Sequence, residues 1–206
     1  MLKYFIILIL LAQVILPKVF AQEVNKDSKK KYFIGSTLFV LGNFIPDDPN
    51  SPEFIQLNIG YRLTSKDVLS VEIKTWKYAW PLGIPYGDSF QKEEEKYPGY
   101  IREFGIAFVY QRFLWNGAYV AIHAMNAFQN YINDNDKLIQ HGFQLFMTYR
   151  LGYQFNFFEQ RFFIEPSIAI THWPINTNVP KSFAILEKKW SNYFLFEPGF
   201  HFGFNF

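Results

Sequence analysis

The chain has 206 residues, a formal net charge of +2 and no cysteine, which excludes a disulfide scaffold, a thiol nucleophile and a cysteine lipid anchor. Half of the residues are apolar, as in an ordinary globular protein, yet 21% are aromatic and 25 are Phe. A soluble core would favour Leu, Val and Ala. Aromatic residues spread through short alternating segments instead suit a surface that faces lipid.

Lys3 precedes the apolar run "YFIILILLAQVIL", and Pro17 and "KVFAQE" follow it. A basic start, an apolar stretch and small residues before a cut predict a secretory signal peptide over 1–21, with Val19 and Ala21 at the small-residue positions. The run of about 13 residues falls short of the ~20 that a spanning helix needs. Cleavage before Gln22 leaves about 185 residues, the size of one domain. Removing Lys3 and Lys18 leaves 18 basic against 18 acidic side chains. The mature chain is then near neutral and shows no basic face for nucleic acid. Residues 22–31, with "NKDSKKK", read as a charged periplasmic leader.

Eight alternating segments rich in aromatic and β-branched residues follow, at about 32–43, 53–63, 68–80, 100–113, 118–131, 138–155, 161–173 and 192–206. Three connections are tight: "TSKD", "LWNG" and "NFFEQ". Asn-Gly in the second is a strong hairpin signal. The other four, "FIPDDPNSP", "PLGIPYGDSFQKEEEKYPG", "NDNDK" and "PINTNVPKSFAILEKKW", are polar or longer and alternate strictly with the tight set. Short turns on one rim and longer loops on the other predict an all-β fold, an eight-stranded antiparallel up-and-down transmembrane β-barrel over 32–206. A soluble lipocalin-like barrel or a β-sandwich predicts neither the alternation of connections nor an apolar outer face.

Period two separates the faces. In the sixth segment Phe143, Leu145, Met147, Tyr149, Leu151, Tyr153 and Phe155 share the outward face. Gln140, Gly142, Gln144, Phe146, Thr148, Arg150, Gly152 and Gln154 share the other. The second and third segments divide in the same way, with Arg62, Glu72 and Lys74 inside. The first and fifth are ambiguous in phase. Trp76, Trp80 and Trp173 near the loop ends, and Trp115 at a turn, fit aromatic girdles, with burial in a core the alternative, chiefly for Trp76. The chain closes on "EPGFHFGFNF", with Phe194 and Phe196 continuing its Phe series on the same face.

With this pattern the chain resembles the small eight-stranded outer-membrane barrels of Gram-negative bacteria, the OmpX/OmpW-like class. The resemblance implies that Phe200, Phe202, Phe204 and Phe206 form the C-terminal signal read by the barrel-assembly machinery. It also implies a monomer in outer-membrane lipid. The inward faces collect Arg62, Glu72, Lys74, Glu103, Arg150, Glu165 and Glu197, with His201 beside them. An eight-stranded barrel is just wide enough to be filled by side chains, and charges there must pair. Glu165 and Glu197 are therefore expected to meet Arg62, Arg150 or both and to plug the barrel. Pro166 and Pro198, in "IEPSIAI" and "FEPGFHF", are expected at bulges or bends.

The function expected is non-enzymatic, in envelope structure or in surface or ligand binding through the outer loops. A narrow channel or hydrophobic-compound conduit is one alternative. The other is a lipid-modifying enzyme, because "IHAMNAF" is similar to a His-x-Ser-Asn stretch of the lipid A deacylases. His123 and Asn126 match, but Met125 stands where the nucleophilic Ser belongs. His141 and His172 read as rim residues. The four histidines have no ligand spacing, so no metal or cofactor is expected.

Overall fold

A computed structural model describes residues 30–45, 51–85 and 92–206. The expected signal peptide and the leader through position 29 lie outside the described residues. Among the described residues nine strands form: β1 (Tyr32–Thr37), β2 (Ile55–Arg62), β3 (Asp67–Tyr78), β4 (Tyr100–Trp115), β5 (Ala118–Ile132), β6 (Leu138–Tyr153), β7 (Phe155–Phe157), β8 (Phe162–Thr177) and β9 (Tyr193–Asn205). All pairings are antiparallel and follow chain order, and β6 pairs with β8 beyond the short β7. β9 returns to pair with β1, so eight strands make a closed ring with β7 as an appendix. Among the described residues no helix is long and apolar enough to cross a membrane.

The ninth strand has a chemical cause. Gly152 pairs with Ser167 and Phe155 with Ile164 in one unbroken register, so β6 and β7 are a single extended segment. Pro166 stands opposite the break and has no N–H to donate to the ladder. The expected strand 138–155 is thus present but interrupted, without a register shift at Pro166. At Pro198 the register with Ile168 is likewise regular. The bulge lies just above it, between the pairs Ala169–Glu197 and Thr171–Phe194, where Phe196 takes φ 60°. One extra residue flips parity. Phe196 points out at 68% exposure, and Phe194 turns in against the core, against the expectation that both share one face.

The first strand is shorter than its alternation suggested. β1 ends at Thr37, and Leu38–Phe44 form a 3-10 helix. Thr37 Oγ1 accepts from the Phe39 N–H at 3.4 Å and donates to the Phe200 carbonyl at 3.1 Å. Asn43 takes both the N–H and the carbonyl of Phe54 at 2.7 Å. These side chains replace the ladder bonds that a longer β1 would have made, an instance of short polar residues competing with a strand. The last long connection also differs from a plain loop, because β8 runs to Thr177 and a short helix, α1 (Lys181–Glu187), follows.

Burial follows period two around the ring. Inward residues of β4 to β6 are buried, while Phe104, Phe108, Val120, Ile122, Phe128, Tyr149 and Leu151 are exposed on the outer face. The ambiguous strands now have a phase: Phe33 of β1 and Tyr119, Ala121, Met125 and Ala127 of β5 are buried inside. Large rings fit by lying over glycines directly opposite on the next strand. Phe33 pairs with Gly60, Tyr119 with Gly152 and Phe163 with Gly203. A Cβ on Gly60 would lie 1.9 Å from the Phe33 ring. Gly60→Ala should therefore cost about 1–3 kcal/mol through overpacking. Trimming the ring with Phe33→Leu should remove most of that penalty, as read from urea unfolding midpoints of the two singles and the double.

Candidate functional site

The interior divides into a filled half at the tight turns and a hollow half at the long connections. In the filled half Arg62 Nη2 donates to Asn205 Oδ1 at 3.0 Å and to Gln154 Oε1 at 3.5 Å. Its guanidinium lies near the rings of Phe33 and Phe113. Gln154 in turn donates to Glu165 Oε1 at 2.7 Å, and Gln111 donates to the same oxygen at 3.1 Å. Glu165 thus makes no direct ion pair with either arginine, contrary to expectation. Two amides satisfy it, and Gln154 relays it to Arg62.

At mid-height the charges meet directly. Arg150 Nη2 reaches Glu197 Oε1 at 2.9 Å, and Thr171 donates to Glu197 Oε2 at 2.7 Å. Arg150 lies across Gly199, whose added Cβ would fall 2.0 Å from Nη1. Glu72 Oε2 lies 3.4 Å from His123 Nδ1, which places His123 inside the ring. His201 is buried at the same level. Nearer the loops Lys74 Nζ stands 3.7 Å from Glu103, which accepts from the Tyr78 hydroxyl at 3.2 Å. A ladder of amides continues that network, with Gln129 donating to Tyr78 and to Gln144. The structure therefore brings the eight sequence-selected charged and polar residues inside, but as three local groups rather than one plug.

Above this level lies a cavity of about 410 Å³. Its floor carries Glu72, His123, Arg150, Glu197 and His201, and Lys74 rises from one side. Its walls and roof include Trp76, Trp80, Trp173, Phe146, Phe194 and Leu82. The inward positions at this height are short, among them Thr37, Thr148, Thr171 and Gly199, and this leaves the space. The expectation of an interior filled along its length holds only below the floor. The girdle expected of Trp76, Trp80 and Trp173 is also corrected, since all three line the cavity and Trp173 is 4% exposed. Trp115 is exposed at the turn rim. Phe39 of the 3-10 helix completes the wall where β1 has stopped, packing edge-on against Phe54 and Trp76.

Part of the loop rim is capped. Phe183 of α1 is fully buried against Tyr97 and Tyr131, with ring centroids 4.7 and 5.1 Å apart. Glu95 accepts from Lys189 and, at 3.0 Å, from Trp190 Nε1. The Lys189 hydrogen bond holds the Glu95 carboxyl below the usual range. The Tyr97 hydroxyl donates to Glu187. Burial pushes the Glu187 carboxyl up, and that hydrogen bond only partly offsets it. The sequence carried a sign of this cap that a purely polar reading of the loops passes over. "PLGIP" and "SFAIL" are too apolar for solvated loops, and Phe183, Leu82 and Ile84 come from them.

The remaining histidines are peripheral. His141 Nδ1 lies 2.7 Å from Asn130 Oδ1 at the surface, and His172 stacks on Tyr149. Among the described residues no group of three or more His, Asp or Glu could hold a metal ion. His123 has Glu72 to orient it, but Met125 occupies the next inward position and is 4% exposed. Phe200, Phe204 and Phe206 are exposed on the outer face, with Phe202 half-buried between them.

Two outcomes follow. Glu197→Ala leaves the Arg150 charge buried and should cost about 3 kcal/mol, toward the low end for a broken pair because Glu197 opens onto the cavity. Glu165→Gln, whose partners are neutral amides, should cost less. Urea midpoints of the two variants rank them. For the cap, Glu95 stabilises the closed form above the usual carboxylate range and loses that contribution as pH falls through its lowered value. Glu187 acts in the opposite sense, its raised value making protonation favour closure. Hydrogen-exchange protection at residues 181–187 should first rise and then fall as pH drops, and Glu187→Gln should abolish the rise alone.

No family model matches the chain, and no curated protein or solved structure matches it significantly.

Proposed function

We propose that this chain is a non-enzymatic outer-membrane β-barrel that holds a small amphiphile in its loop-side half. The observation that carries the reading is the cavity itself, with aromatic walls, a charged floor and packed side chains beneath. Its volume falls within the roughly 300–1,000 Å³ of small-molecule sites, and the mouth of a barrel is a common place for one. The location rests on inverted faces: charge lies inside, and large apolar residues encircle the outside in a continuous belt. A soluble monomer rarely exposes such a surface. In lipid the same surface is required. The Phe series ending at Phe206 belongs to that belt and fits an assembly signal.

The packed lower half supports a non-conducting barrel, so the channel alternative has less behind it than the binding one. The deacylase alternative needs His123 at the lipid face with a nucleophile beside it, and the imidazole lies inside against Glu72. The reading is tested with the mature chain refolded into phosphatidylcholine vesicles. It should give a heat-modifiable gel band and essentially no planar-bilayer conductance. N-phenyl-1-naphthylamine should quench the tryptophans, three of the five of which line the cavity. Recovery of the chain as a soluble periplasmic protein, or steady ion conductance, counts against it.

A further inference from the structure

The charges inside the ring do not balance. Below the floor Arg62 answers Glu165 through Gln154, base to acid. At the floor and above it the acids are Glu72, Glu103 and Glu197, and the bases among the described residues are Lys74 and Arg150. Lys74 is drawn to Glu103, 3.7 Å away, and Arg150 to Glu197, 2.9 Å away. Glu72 is the remainder. Its neighbour at ion-pair length is the His123 imidazole, 3.4 Å away, which carries no fixed charge. A buried carboxylate without a counter-charge is costly, and Glu72 borders the cavity.

The floor also presents its charges unequally. Side-chain exposure is 35% for Glu197, but 16% for Lys74 and 6% for Arg150. Glu197 accepts once at each oxygen, from Arg150 and from Thr171, and a carboxylate has about four acceptor sites. The charge most open to an entering head group is therefore negative. The walls agree with it in sign. An aromatic face is negative and draws a cation within about 6 Å of its centre. Lys74 Nζ already lies 5.3 and 5.5 Å from the ring centroids of Trp76 and Phe146. Trp80, Trp173 and Phe194 offer further rings to the same space, and with them an apolar surface for a short chain. At roughly 30 Å³ per water-sized group, about a dozen carbon-sized groups fill it.

We propose that this cavity binds the ammonium group of a cationic amphiphile of alkylamine type, with Glu72 and Glu197 as its counter-charges and Trp80, Trp173 and Phe194 around its body. The assignment rests on the cavity reading above and adds the charge of the head group. The ligand's positive charge brings the cavity into balance. Neither carboxylate acts on the ligand; both hold it.

Decylammonium, decanol and decanoate share a ten-carbon scale and differ in head charge. Each is titrated at neutral pH into the mature chain in phosphatidylcholine nanodiscs, with empty nanodiscs subtracted and tryptophan fluorescence followed. Decylammonium should bind at least about 10-fold tighter than decanol, the scale of one charge-assisted hydrogen bond, and decanoate should bind weakest. Replacing Glu197 would strand Arg150, so the variant is Glu72→Gln, which keeps the shape and removes the surplus charge. In it the ratio of decylammonium to decanol affinity should fall close to one. Equal binding of the two by the native chain, or preference for decanoate, overturns the ammonium assignment and leaves the cavity reading standing. A ratio that Glu72→Gln does not lower also overturns the assignment. Binding of none of the three overturns both. A second measurement needs no variant: decylammonium should raise the urea midpoint of the native chain more than decanol does at equal concentration. Equal shifts overturn the assignment.

Discussion

Five residue pairs between β1 and β9, from Phe33–Asn205 to Thr37–His201, close the ring, and the interior exists because of that short seam. Without it the eight strands would be an open sheet with two faces and two edges, and charged side chains would have no need to pair. With it, every second residue enters a confined space whose width is set by strand number. The seam is also where regular structure is thinnest. Beyond Thr37 the wall passes from ladder to a 3-10 helix held by Thr37 and Asn43, and Phe39 fills the place of a strand residue.

Confinement explains the two kinds of polar chemistry inside. Where acid and base stand at the same height, as Arg150 and Glu197 do, they meet directly. Where they do not, amides bridge them, as Gln154 bridges Arg62 to Glu165. A neutral relay avoids bringing a second charge against each ion while still satisfying the buried oxygen. Packing obeys a similar local rule. Rings of Phe33, Tyr119 and Phe163 occupy the room left by the glycine opposite each, so the turn-side half keeps only a void of about 30 Å³. The loop-side half has threonines and Gly199 at the same kind of position and remains hollow.

The cavity is thus a consequence of side-chain size at a few inward positions together with apolar loops that fold over them. The bulge at Phe196 contributes directly, since it turns Phe194 inward to become wall. The cap of α1, Tyr97 and Tyr131 closes the neighbouring part of the rim through contacts far apart in sequence.

The alternation of residues and of connections determined the eight strands of the ring, though not the short β7, together with their antiparallel order and which residues of β2, β3 and β6 face inward, because period two is a local property of the backbone. It also selected the charged residues that end inside. It could not choose their partners: whether Glu165 meets an arginine or a glutamine depends on height and rotation in the closed ring, which no local pattern encodes. Nor could it foresee that Trp76, Trp80 and Trp173 line a cavity, since an aromatic at a strand end suits a lipid rim and an inner wall equally well. Parity at Phe194 was likewise decided by a single bulge, and the length of β1 by side chains that outcompete its ladder. These are tertiary outcomes, because each depends on what the closure of β1 on β9 brings together.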